Sequence, residues 1–295
     1  MSGELDFINW IRAQQHPSSR VILPAGDDLA ILRWHSDDLL VVGVDQVLDG
    51  VHFDSAQHSP RSIGQKVMNR NLSDCAAMAA LPVAALATVA LHSSSNLNYA
   101  KELYLGLKDA ADPFDCAIIG GDTASWPNPL AFTVTILARS AGIQPITRRG
   151  AKAGDGIYVT GPLGGSILGR HMTFSPRIHQ ARELASGFPL TAMIDLSDGL
   201  SRDLAHICQQ SNVGAIVDAG AIPIHPDAIE QSCHDNRSPL HHALHDGEDY
   251  ELLFTCADPC DKAIRIGRIT AEQGIQLQTP AGLEPLPPLG WEHSL

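Results

Sequence analysis

Met193-Ile194-Asp195-Leu196-Ser197-Asp198-Gly199-Leu200 carries the pattern from which the architecture follows. Ala192–Leu196 is apolar and reads as a strand, and Gly199 opens a helix that runs to Gln210. A strand that passes directly into a helix is the repeating unit of α/β architecture. Asp195 and Asp198 flank Ser197 at that junction, and in open α/β sheets ligands collect beyond the carboxyl ends of strands.

The same alternation extends in both directions. Upstream, Leu39–Asp45, Ala84–Leu91, Cys116–Gly120 and Ala131–Ala138 read as strands, and Ile63–Ala80 and Leu97–Ala111 as helices, with Pro82 following the first. The polar, Gly-rich segment Arg149–Gly156 marks the expected boundary. It divides the chain into two expected domains, residues 1–148 and 149–295. Beyond it come strand Ile157–Thr160, a short helix near Gly165–Arg170, and strands Ala215–Asp218 and Tyr250–Cys256. At 295 residues, two domains of roughly 100–200 residues each are expected.

Composition removes several classes. With 44% hydrophobic and 18% charged residues the chain is an ordinary globular one. The longest apolar run, Ala76–Leu91, is broken by Pro82 and falls short of the ~20 residues of a membrane span. Met1–Trp10 carries Glu4 and Asp6 and lacks the layout of a signal peptide, so a cytoplasmic protein is expected. A net charge of −13, with Arg148–Arg149 the longest basic run, argues against a nucleic-acid partner. Six cysteines without paired CxxC spacing read as reduced thiols.

The carboxylates carry the chemistry. Asp27 and Asp28 follow Val21-Ile22-Leu23, Asp45 ends a strand, Asp74 lies on the Ile63–Ala80 helix, and Asp122 follows Gly120-Gly121. Glu248 and Asp249 precede the strand at Tyr250. Singly, each is a common turn or N-cap residue. Together, convergent like charges repel unless a cation lies between them. Few basic residues flank these motifs, so Mg²⁺, which prefers carboxylate and phosphate oxygens, is the economical counterion. No GxxxxGK[ST] loop, protein-kinase motif set or GxSxG elbow is present. Gly161-Pro162-Leu163-Gly164-Gly165 is a weak phosphate-loop candidate and reads better as a βα turn. His241, His242 and His245 have zinc-compatible i,i+4 spacing, but read as decoration of an exposed helix beside Asp246.

GDDLA at 26–30, Asp45 with His52-Phe53, NLSDCAAMAA at 71–80 and GGDT at 120–123 resemble the thiamine-monophosphate kinase family. RRGAKAGDGIYVTGPLGG at 148–165, IDLSDGLSRDL at 194–204, GEDYELLF at 247–254 and the C-terminal Gly290-Trp291-Glu292-His293 extend the resemblance over nearly the whole chain. The resemblance implies a mixed α/β (α+β) two-domain fold of the aminoimidazole ribonucleotide synthetase type. Its N-terminal domain pairs into a dimeric β-barrel, so a homodimer is expected. The implied reaction is ATP- and Mg²⁺-dependent phosphorylation of thiamine monophosphate to thiamine diphosphate. Carried over by motif, Asp28, Asp45, Asp74, Asp122, Asp195 and Asp198 hold several Mg²⁺ ions, with Asp198 and Asp122 catalytic. Gly121, Asp122, Arg148 and Ser197 contact ATP, and His52, Glu248 and Trp291 contact thiamine monophosphate.

Two departures stand out. Gly43-Val44 replaces the family's Ser-Thr before Asp45, so the ion at Asp45 is expected to be held less firmly. The second domain also looks trimmed, with little helical sequence after Gly169 and almost none between Cys256 and Ile264. The rival readings are a superfamily relative acting on another small acceptor and a non-catalytic ATP-binding paralogue.

Overall fold

A computed structural model describes residues 21–23, 27–34 and 38–292. Met1–Trp10, Gly26 and His293, used above, lie outside the described residues.

The first half builds a six-stranded sheet. Its strands are β1 (Val21–Leu23), β2 (Ala30–Arg33), β3 (Leu39–Leu48), β4 (Leu81–His92), β5 (Ala117–Trp126) and β6 (Ala131–Arg139), in the order β1-β2-β3-β6-β4-β5. All neighbours are antiparallel except β4 and β5. Along β6, Phe132, Val134, Ile136 and Ala138 are buried and the residues between them are not. That alternation gives the sheet one covered face. Helices α1 (Pro60–Ala77) and α2 (Leu97–Ala111) supply the cover.

Local chemistry starts both helices. The Ser59 hydroxyl accepts from the Ser62 N–H ahead of Pro60, and Asn96 accepts from the Tyr99 N–H. The helices approach too closely for side chains where they cross. A Cβ on Gly64 would stand 2.1 Å from the Leu103 carbonyl oxygen, and one on Gly106 2.0 Å from that of Arg61. Helix α1 ends at Ala77, earlier than its hydrophobic pattern suggests, because Ala79 turns left-handed with φ 53°.

The second half contains β7 (Gly156–Val159), α3 (Arg170–Thr173), α4 (Ile178–Gly187), β8 (Leu190–Asp195), α5 (Leu200–Ser211), β9 (Gly214–Asp218), α6 (Pro226–Asp235) and α7 (Pro239–His245). Strands β10 (Leu252–Cys256), β11 (Ile264–Thr270), β12 (Gly274–Thr279) and β13 (Gly282–Pro285) complete a seven-stranded sheet ordered β13-β12-β9-β11-β7-β10-β8. Only β9 and β12 are parallel. The expected shortage of helix after Gly169 is incorrect, since α3 and α4 lie there. Buried Ile178, Ala181 and Leu184 form the inward stripe of α4. Arg177 and Glu183, which pair with Glu251 and Lys262 outside the helix, make the segment read as polar.

Helix α1 is the keystone. Its Ile63, Val67, Met68 and Leu72 share one core with Met172, Ile178, Leu184, Met193 and Phe254 from the other half. The polar face of the same helix therefore looks into the seam between the sheets. Among the described residues, no helix is long and apolar enough to cross a membrane.

Candidate active site

Lys66, Arg70, Ser73 and Asp74 fall at i, i+4, i+7 and i+8 on α1, which puts them on one face. This face meets Asp45 on β3, Asp195 at the end of β8, and the 246–250 loop before β10. Carboxylate oxygens of Asp28, Asp74 and Asp195 lie within 4.8 Å of one another. Burial, then the charge of Asp28, pushes Asp195 up to about 7, although the Ser73 hydroxyl donates to it at 2.5 Å. Burial and then Asp195 hold Asp74 well above the ordinary carboxylate range. Burial and then Asp28 raise Asp27 to about 7.

A second trio, Asp198, Asp203 and His206, lies at the start of α5, also with ligand atoms within 4.8 Å. Asp203 accepts from the N–H groups of Asp198 and Gly199, both at 3.1 Å, and so fixes the turn that carries Asp198. Burial, then Asp198, raises the Asp203 carboxyl. Burial, then Arg148, lowers His206 to about 4, leaving a neutral imidazole. Asp203 and His206 escaped the sequence reading although they follow the Asp198 motif at helical spacing. They sit where a helix buries its inner face, and so look like core residues.

Three cations stand among these carboxylates, contrary to the expectation of few. Arg148 forms a fork on Asp28, with Nε at 3.1 Å and Nη2 at 2.8 Å. Arg70 donates to Asp45 at 2.6 Å and to Glu248 at 3.1 Å. Fully buried Lys66 donates to Glu248 at 2.8 Å and to the His52 carbonyl at 2.6 Å. Burial is the main cause that drops the Lys66 ammonium to about 8, against the pull of Glu248. Burial alone would raise Glu248, but Lys66 and Arg70 bring it below the usual carboxylate value. Eight carboxyl groups (27, 28, 45, 74, 195, 198, 203 and 248) thus converge on three cationic side chains, too few to let all of them ionise together without a further cation. An all-oxygen donor set with that shortage of cations fits Mg²⁺.

The structure gathers His52, Ser197, Asp198, Glu248 and Trp291 around one cavity of about 290 Å³ that Arg70 also lines. His52 is held neutral, lowered to about 4 by burial and then by Arg70, and its Nδ1 accepts the Leu48 N–H at 3.1 Å. The proton therefore sits on Nε2. The Trp291 N–H donates to the Asp198 carbonyl at 3.1 Å and ties the C-terminal segment to the α5 turn. Glu248 and Tyr250 both adopt left-handed backbone, φ 52° and 51°, strain of the kind that persists at functional sites.

Gly121 and Asp122 stand apart. They lie on β5, an exposed edge strand, and Asp122 belongs to neither trio. Asp122 registers with Thr88 and Thr133, whereas Asp45 registers with Val134, one row away and so on the opposite face. The weak phosphate-loop reading of 161–165 is closed by geometry, since the Gly164 and Gly165 N–H groups donate to Asp249 and Asp246. The histidine group is not the exposed decoration expected. His242 is buried between Asp246 at 2.9 Å and Asp235 at 3.2 Å, and His245 pairs with the Ser201 hydroxyl at 2.8 Å.

The family model described as AIR synthase related protein, N-terminal domain, matches residues 26–140, and its C-terminal domain counterpart matches 152–279. The thiamine-monophosphate kinase of Rhodopirellula baltica is 38% identical over 290 residues, covering 92% of this chain and 91% of that protein. The chain belongs to the thiamine-monophosphate kinase family. The structure of AaThiL complexed with AMPPCP and TMP has a TM-score of 0.85 and 26% identity, over 99% of this chain and 96% of that one. The thiamine-monophosphate kinase of Stenotrophomonas maltophilia K279a has a TM-score of 0.73 and 32% identity, over 93% and 96%.

Within the thiamine-monophosphate kinase family pattern, the Gly43-Val44 departure now has a geometry. A Cβ on Gly43 would stand 2.1 Å from Leu29 Cδ2, so glycine makes room for a buried leucine. Val44 is 64% exposed and registers with Thr135, on the face opposite Asp45. A hydroxyl there would point away from an ion held by the Asp45 carboxylate.

Proposed function

We propose that the chain transfers the γ-phosphoryl group of ATP to the phosphate of thiamine monophosphate, giving thiamine diphosphate by direct in-line displacement. The observation that carries this reading is the single cavity shared by His52, Glu248 and Trp291 with Ser197 and Asp198. The residues assigned to thiamine monophosphate thus share a cavity with residues of the carboxylate site, which supports the reading. An aromatic ring and a carboxylate held ionised by Lys66 and Arg70 suit a cationic heteroaromatic substrate. The neutral His52 offers an Nε2 proton as a donor.

Mg²⁺ would be held by Asp28, Asp74 and Asp195, by Asp198, and from β3 by Asp45, whereas Asp122 on the opposite face of the sheet does not reach that set. When bound, it neutralises phosphate charge as the phosphoryl group moves between oxygens. Ser197 and Arg148, beside the carboxylates, are assigned to ATP. The chain's own contribution is alignment, which makes the transfer effectively unimolecular. No residue needs to act as a covalent nucleophile, since the acceptor oxygen is already an anion.

We further propose a homodimer. Val44, Val83 and Leu86 are exposed on the uncovered side of the first sheet, and β5 leaves that sheet with an open edge. Pairing two such sheets would hide both.

Incubation with ATP, Mg²⁺ and thiamine monophosphate should yield thiamine diphosphate with equal ADP. ATP consumption only with a different acceptor would favour a superfamily relative. Tight ATP binding with no transfer would favour the non-catalytic reading.

A further inference from the structure

Arg70 occupies the seam between the metal-candidate carboxylates and the thiamine-candidate cavity. Its Nε donates to Asp45 Oδ2 and its Nη1 to Glu248 Oε1. Its Nη2 has no protein partner among the described residues, and the side chain lines the cavity. Among the described residues only Asp45 Oδ2 is engaged, which leaves Oδ1 for an ion. Two fixed partners and stacking near the Tyr250 ring, 6.0 Å from its centroid, hold the guanidinium in one orientation.

We propose that Arg70 binds the phosphate of the acceptor and so makes the site select a phosphorylated thiamine over thiamine itself. This rests on the phosphotransferase reading above. The seam is where an acceptor phosphate must lie, with its heterocycle beside Glu248 and Trp291 and its oxygens facing the carboxylate-held ions. A guanidinium there repels the cationic heterocycle and attracts the dianion, which fixes the substrate's direction as well as its class. Arginine suits this task because its planar fork matches phosphate oxygens. Lys66 is fully buried and spent on Glu248 and the His52 carbonyl, so it cannot substitute.

The test compares two ligands on three proteins. Dissociation constants for thiamine monophosphate and for thiamine are measured by calorimetry, with AMPPCP and Mg²⁺ present, on wild type, Arg70→Gln and Arg70→Lys. Losing a charge-assisted contact should weaken thiamine monophosphate by roughly 10- to 100-fold while thiamine changes by about twofold or less. Arg70→Lys should recover part of the selectivity, as a point charge without the fork. Equal weakening of both ligands, or unchanged thiamine monophosphate affinity, overturns the proposal. Thermal melts check folding, and if Arg70→Gln does not fold, Arg70→Lys alone must lose selectivity by about fivefold or the proposal fails. Wild-type turnover separates the two readings. An inactive wild type removes the phosphotransferase, whereas an active one with unaltered variant selectivity removes only the role of Arg70.

Discussion

Asp195→Asn should stabilise the metal-free protein, and by an amount that depends on pH. Burial and Asp28 raise Asp195 from 3.8 to about 7, roughly three powers of ten in proton affinity. At about 1.4 kcal/mol for each, ionising this group in the folded state costs up to about 4 kcal/mol. The sign follows from the direction. A carboxyl raised on folding binds more protons folded than unfolded, so stability falls as pH climbs from near 4 to near 7 and is flat above. Asparagine has no such charge, and its oxygen can still accept from Ser73. For a chain of this length about 2 °C accompanies each kcal/mol. The variant should therefore melt roughly 8 °C above wild type at pH 7.5 and roughly 4 °C above it at pH 5.5, both in EDTA. Saturating Mg²⁺ should narrow or reverse that order, since the ion favours the charged site. Scanning fluorimetry at the two pH values, with and without Mg²⁺, gives all the readings. An advantage that is absent, or equal at both pH values, would refute the electrostatic account of this trio.

Further outcomes follow from other contacts. Asp198→Asn should lower kcat by at least about 100-fold with melting unchanged or raised; full activity would remove Asp198 from the site. Val44→Thr should leave the Mg²⁺ concentration for half-maximal activity within about twofold, because position 44 faces away from Asp45, whereas Gly43→Ser should cost about 1–3 kcal/mol by displacing Leu29; a Mg²⁺ titration and melts of each single variant check both. Leu86→Lys on the uncovered sheet face should convert the proposed dimer to monomer in sedimentation; a dimer that persists in the variant would place the interface elsewhere.

Much of the fold was legible because its strongest signals are local. Leu97–Ala111 is helical over the range its pattern suggests, with Asn96 as cap, and the alternation of Ala131–Arg139 marks a one-sided strand. Strands β11–β13 were missed, since exposed positions such as Arg265, Gln276 and Glu284 dilute their apolar pattern. The cavity residues His52, Glu248 and Trp291 came from motif resemblance, because nothing local joins positions so far apart. Lys66 and Arg70 were overlooked for the opposite reason. They sit eight and four residues before Asp74, where a linear scan sees an ordinary amphipathic helix, and only the seam shows that this polar face meets the carboxylates and the cavity.

The core that α1 shares with both halves also bears on how ligands get in and out. Domains joined by a thin polar contact swing apart, but a large apolar seam suppresses that motion. Ile63, Val67, Met68 and Leu72 would be stripped on both flanks by any hinge through this helix. Entry and product release must then depend on smaller rearrangements at the rim, chiefly the 246–250 loop and the tail that Trp291 anchors to Asp198. The slow exchange of α1 amides with solvent deuterium should accordingly be the same whether the cavity is filled or empty.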